Sequence, residues 1–219
     1  MSRASFCSVV LLCSSYFSGC EPQDYDLVDF YVSITDGELE AWVSTDLSSG
    51  GMRSDDVLEV SIEGELWVHT NATDPFTRDV GEIGGQEVEV KIRRESEVLR
   101  SGACDVPGDF EIQFEPSELT MGGTNSYPLE VSDAPLGVRS SAGVGGTCSD
   151  WVHLDLPPEL GDVETVSVQE AEIVRAESGA SSCSGIVQVL FESEGRTSDS
   201  STRMTCYQVR RKDVELVEN

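Results

Sequence analysis

Apolar and polar residues alternate one by one through most of this chain. That period of two leaves room for little except β-strands. In the first half the pattern runs through Leu27–Ile34, Leu39–Val43, Val57–Ile62, Leu66–Thr70, Val88–Ile92 and Phe110–Phe114. In the second half it returns at Leu129–Val131, Trp151–Leu156, Val163–Val168, Ala171–Val174, Ile186–Phe191, Met204–Val209 and Val214–Val217. Turn signals separate the runs, among them Asp36-Gly37 and Glu63-Gly64, and the pairs Gly84-Gly85, Gly122-Gly123 and Gly145-Gly146 also read as turns between strands. No window of useful length keeps a helical period. The chain is therefore expected to be all-β, with short strands at the regular spacing of a sandwich.

A faint repeat sharpens that expectation. Trp67-Val68-His69 returns as Trp151-Val152-His153, an offset of 84, and Gly51-Met-Arg-Ser54 resembles Gly137-Val-Arg-Ser140 at an offset of 86. Val88-Glu-Val90 likewise resembles Val187-Gln-Val189. Two copies of one β-unit predict two tandem immunoglobulin-like β-sandwiches, over residues 27–116 and 117–219, meeting near Pro116 to Thr124. The growing offset asks for about one extra strand near Val163 to Ser182.

Ahead of the strands stands a segment of another kind. Arg3 gives a short basic start, and Phe6 to Phe17 form an uncharged apolar run too short to span a bilayer. Phe17-Ser18-Gly19-Cys20 resembles the bacterial lipobox, with Phe17 where Leu is usual. Residues 1–19 then read as a signal peptide, which takes Cys7 and Cys13 away with it. Cys20 becomes the lipidated N-terminus, and residues 20–26 the lipidated cysteine and its tether. Acyl chains on Cys20 would be a stable membrane attachment. Glu21, in place of Asp, favours the outer membrane over the inner. The alternative is an ordinary cleaved signal whose Cys20 enters a disulfide.

Losing Arg3 leaves 13 basic against 41 acidic residues, a net charge of −28. Such a chain is repelled by nucleic acid, so no nucleic-acid partner is expected. Beyond Cys20 four cysteines remain, Cys104, Cys148, Cys183 and Cys206. In an oxidising compartment they imply two disulfides, with three connectivities open, including the joining of neighbours as Cys104–Cys148 and Cys183–Cys206.

Tyr31-Val-Ser-Ile-Thr-Asp-Gly37, Val88–Arg94, Pro107–Phe114 and Gly146-Thr-Cys148 together resemble uncharacterised bacterial envelope lipoproteins with a strand-rich N-terminal half. That resemblance implies that Cys148 pairs with Cys183, which leaves Cys104 for Cys206. It carries no activity with it.

Catalytic chemistry finds little to work with. No Gly-x-Ser-x-Gly elbow occurs, and only His69 and His153 offer imidazoles, each two residues from a tryptophan and so on its face of a strand. Two histidines do not make a zinc site. Asp24, Asp26 and Asp29, then Asp55 and Asp56, then Asp74 and Asp79, lie close in sequence but lack the spacing of a calcium loop. Asn71-Ala-Thr73 matches a glycosylation sequon by accident of composition. Trp42, Trp67 and Trp151 fill a core or, if exposed, line a sugar-binding face. No catalytic residue, metal or cofactor is expected. The sequence describes a non-catalytic, lipid-anchored envelope protein, facing periplasm or cell surface, that is structural or recognises a protein or glycan. An extracytoplasmic hydrolase with an unrecognised Ser/His/Asp set and a calcium-dependent adhesion module are the alternatives.

Overall fold

The alternation becomes strands in the computed structural model, which describes residues 25–45, 55–70, 74–157, 163–176 and 180–218. The first half supplies β1 (Val28–Thr35), β2 (Glu38–Thr45), β3 (Asp56–Ile62), β4 (Glu65–His69), β5 (Phe76–Asp79), β6 (Glu87–Arg94) and β7 (Glu97–Asp105). Both expected two-residue turns are present. Asp36 and Gly37, and Glu63 and Gly64, take positive φ, the backbone that lets two twisted strands meet in a tight hairpin. Strands β1, β2 and β5 run side by side on one layer, and β7, β6, β3 and β4 in that order on the other.

The second half repeats the plan with β8 (Glu111–Gln113), β9 (Glu118–Met121), β10 (Ser126–Ser132), β11 (Arg139–Gly146), β12 (Ser149–Leu154), β13 (Val163–Gln169), β14 (Ser182–Glu194), β15 (Arg196–Thr197) and β16 (Thr202–Glu218). Here β8, β10 and β13 form the three-stranded layer and β16, β14, β11 and β12 the four-stranded one. A three-stranded sheet facing a four-stranded sheet, twice, is a pair of immunoglobulin-like sandwiches. The two Trp-Val-His segments fall on corresponding strands, β4 and β12. Gly51–Ser54 lies outside the described residues.

The two sandwiches share a wall. Strand β16 pairs antiparallel with β14 over Thr205–Val217, while its other side takes β1 in parallel over Thr202–Val209 and β9 in parallel over Glu215–Glu218. One sheet of eight strands thus runs from β5 to β12. Met204 and Cys206 enter the first core, Val214 and Leu216 the second. All four have even numbers in one regular strand, so both cores lie on the same side of the wall. The chain passes from the first core to the second between Val106 and Phe110. The first core is completed only by β16. Gly102 of β7 shows how closely they pack, since a Cβ there would lie 3.0 Å from Met204.

The expected strands need three corrections. Ala171–Val174 is not a strand: Glu170–Glu172 form a 3-10 turn. The buried Glu170 carboxylate accepts from the Thr120 and Asn125 backbone N–H groups at 2.8 and 3.1 Å, and its carbonyl accepts from Gly122 and Ile173, which pulls this stretch out of any ladder. The extra length before β14 is therefore not an extra strand among the described residues. Met204–Val209 and Val214–Val217 are one strand of 17 residues. Its polar middle breaks the alternation because Arg210 faces the gap between the cores, where Nε donates to the Phe110 carbonyl at 3.1 Å. Gly145-Gly146 is not a turn but the end of β11.

Candidate functional site

Cys20, the expected lipidation site, lies outside the described residues. Tyr25, the first of the described residues, is buried. Its hydroxyl donates to Asp56 Oδ2 at 2.5 Å, its carbonyl accepts from Arg100 Nη2 at 2.5 Å, and Asp56 is held in turn by Arg94 Nε at 2.8 Å. This end of the first sandwich is fastened directly behind the expected attachment point. Asp56, which stood in one of the acidic pairs, is here a buried ion-pair partner.

The cysteines pair as Cys104–Cys206 and Cys148–Cys183, the connectivity implied by the lipoprotein resemblance. The first bridge ties β7 to β16 across the two layers of the first sandwich. The second ties the β11–β12 turn to the start of β14. Two bridges of this kind suit an oxidising, extracytoplasmic compartment.

The wall's other face carries no core. Register assigns its residues: Trp42 on β2 lies opposite Tyr31 on β1, Tyr207 on β16 opposite Glu192 on β14, and Ile186 on β14 opposite Asp213 on β16 and Gly145 on β11. Tyr31 and Trp42 stack with ring centres 5.3 Å apart. Burial raises the Tyr207 phenol above its ordinary pKa, with Glu192 and Tyr31 pushing the same way. At the far edge Trp151, 41% exposed, lies over the backbone of β11. A Cβ on Gly143 would come within 2.5 Å of its ring, and one on Gly145 within 2.7 Å. Beside the indole runs an open groove of about 390 Å³, lined chiefly by Gly145, Gly146, Trp151, Gly185, Ile186 and Asp213. Taking Gly145-Gly146 for a turn hides this groove. The signal that finds it is β-alternation carried through the glycines, Ala142 and Val144 inward and Gly143 and Gly145 outward.

The three tryptophans have three fates: Trp42 stacks on the wall, Trp67 packs against the first core, and Trp151 stands open. His69 Nε2 lies 2.9 Å from the Asp74 carbonyl, and its ring meets Phe76 edge-on at 6.1 Å. His153 is exposed on β12, opposite Gly143 and on a different sheet from His69. Asp79 accepts from the Gly81 N–H at 3.3 Å, closing a turn. Among the described residues no three His, Cys, Asp or Glu converge as metal ligands, and no helix is long and apolar enough to cross a membrane.

No protein-family model and no curated protein matches the chain. Among solved structures it is similar to a glycosyl hydrolase family 2 member from Bacteroides cellulosilyticus, at 10% identity and a TM-score of 0.26, covering 84% of this chain and 23% of that one. It is also similar to the D0-D1 domain of intimin, at 14% identity and a TM-score of 0.24, covering 86% of this chain and 97% of that one. The adhesin InvE of Yersinia pseudotuberculosis follows at 10% identity and a TM-score of 0.22, covering 86% of this chain and 58% of that one. Function has to be read from this chain's own geometry.

Proposed function

We propose that the chain is a non-catalytic envelope lipoprotein, held by acyl chains on Cys20 in the outer membrane, whose paired sandwiches offer a binding surface to a partner. The observation that carries the binding role is the one-sided wall. A sheet of eight strands with both cores on one face leaves the other face open, and aromatic and aliphatic side chains dot it from Trp42 to Trp151. Open apolar surface of that kind serves recognition. The anchor reading is supported by the lipobox-like run before Cys20 and by the burial of Tyr25. Five residues reach about 17 Å at full extension, so the first sandwich would ride close to the bilayer.

The test is Cys20→Ser. The native chain is expected to carry acyl chains on Cys20, seen by mass spectrometry of its N-terminal peptide, and to fractionate with outer membranes. The variant should lose both. Normal processing and membrane fractionation of Cys20→Ser would overturn the reading.

A further inference from the structure

The Trp151 groove has a chemistry of its own. One face of the indole is pressed on the Gly143 and Gly145 backbone, and the side chain is otherwise well exposed beside the groove. Across the groove stands Asp213, the only charged residue lining it. Its carboxylate has no hydrogen-bond or ion-pair partner among the described residues. Arg211, two residues away on the same face of β16, is engaged with Asp36 at 3.4 Å. Ile186 lies between Trp151 and Asp213 in the cross-strand row.

An exposed indole, an apolar floor and an unpaired carboxylate are what an arginine side chain needs. Its methylenes lie on Ile186 and the glycines, while its planar guanidinium meets the indole and the carboxylate. The chain's net charge of −27 draws basic partners towards every face and repels acidic ones. We propose that the Trp151–Asp213 groove is a docking site for an arginine-bearing segment of a basic partner protein. The proposal deepens the binding role given above and is independent of the lipid anchor.

The probe is a capped peptide, acetyl-Gly-Arg-Gly-Arg-Gly-amide, titrated into the mature chain while the indole N–H resonances are followed by NMR. Its partner probe carries citrulline for arginine, with the same shape and no charge. The Trp151 resonance is expected to shift with the arginine peptide, and the citrulline peptide to leave it still. Asp213→Asn and Trp151→Ala should each weaken binding roughly tenfold. Glu130→Gln, on the exposed side of β10, should change nothing. Unchanged melting of Asp213→Asn guards against loss of fold as the cause. Equal weakening by Glu130→Gln would reduce the effect to general charge attraction and overturn the proposal. So would equal binding of the citrulline peptide, or a Trp151 shift with chitotetraose and none with the arginine peptide, which would make the groove a glycan site. Acylation of Cys20, read by mass, fails or holds separately from this titration.

Discussion

Trp67-Val68-His69 and Trp151-Val152-His153 occupy corresponding strands of the two sandwiches, yet they turn opposite faces to the core. In the first, β3 and β4 pair without interruption, Trp67 stands opposite Val60, and its ring packs 6.3 Å from Phe76 with Arg78 5.7 Å above it. Val68 is left outside. In the second, Gly146 pairs with Ser149, and continuing that register would bring Trp151 opposite the buried Val144. A register shift intervenes, and Val152 takes that place instead. A slip of one residue exchanges the faces of everything beyond it. The same three residues thus close a core in one sandwich and open a groove in the other.

A second difference lies in how complete each sandwich is. The second core draws only on residues between Phe110 and Leu216. The first needs Met204 and Cys206, which arrive at the far end of the chain. In addition β15 pairs with β7, so the end of the β14–β16 hairpin adds to both layers of the first sandwich. Of two similar units, one is self-contained and the other borrows its last strand.

The largest test of that asymmetry is truncation. A chain of residues 20–116 should show no cooperative unfolding by circular dichroism, whereas residues 107–219 should melt in one transition. A cooperative melt of residues 20–116 would break the comparison. Next come the disulfides. Cys104–Cys206 closes a separation of 102 residues and Cys148–Cys183 one of 35. Chain entropy then gives about 4.7 kcal/mol for the first and about 3.8 kcal/mol for the second. Denaturant titration of Cys104→Ala/Cys206→Ala and of Cys148→Ala/Cys183→Ala should preserve that order. A greater loss from the second pair would show that the borrowed strand is held chiefly by packing.

Much of this was legible from alternation alone. The strands with clean period two, β1, β2, β3 and β6, stand where the pattern places them, and the Trp-Val-His repeat marks the correct pair of strands. Three kinds of feature escaped it. Strand β7 is not legible because Arg100, Ser101 and Gly102 interrupt its pattern, and Gly102 is there to let Met204 approach. Strand β11 is not legible because its outward glycines, which make room for Trp151, break the alternation. The face of Trp151 was hidden for a different reason, since a bulge is a property of pairing and leaves no period in either strand.

Smaller substitutions sharpen the contrast between the tryptophans. Trp67→Ala should cost about 2 kcal/mol, part of the usual loss for a large core aromatic, since its ring is only half-buried. Trp151→Ala should cost less than about 1 kcal/mol. Equal losses would mean that the groove tryptophan is a packing residue after all. Deleting Asp150 removes the extra residue and should carry Trp151 toward the core face, read as a blue shift of its emission.

The smallest effect concerns the tip of the borrowed hairpin. Asp199 caps the turn before β16, accepting from the Ser201 hydroxyl at 2.6 Å, the Thr202 hydroxyl at 3.0 Å and the Ser201 N–H at 2.9 Å. The Ser201 hydroxyl above all, with Thr202, the Ser201 N–H and the nearby Arg100 adding to it, holds the carboxyl at about 2, below its ordinary 3.8. Because the folded state binds this proton more weakly than the unfolded chain, the cap's contribution is whole above 3.8 and is lost as pH falls through about 2. The Ser201 amide shift should therefore titrate near pH 2 and cease to do so in Asp199→Asn. Since the tip belongs to the first sandwich in space and the second in sequence, its loosening in acid should reach β1 through the Val28 N–H, which donates to the Ser201 carbonyl at 3.1 Å. Faster exchange at Val28 than at β11 amides on acidification would follow from the borrowed strand. Uniform exchange across both sandwiches would instead make the wall respond as one unit.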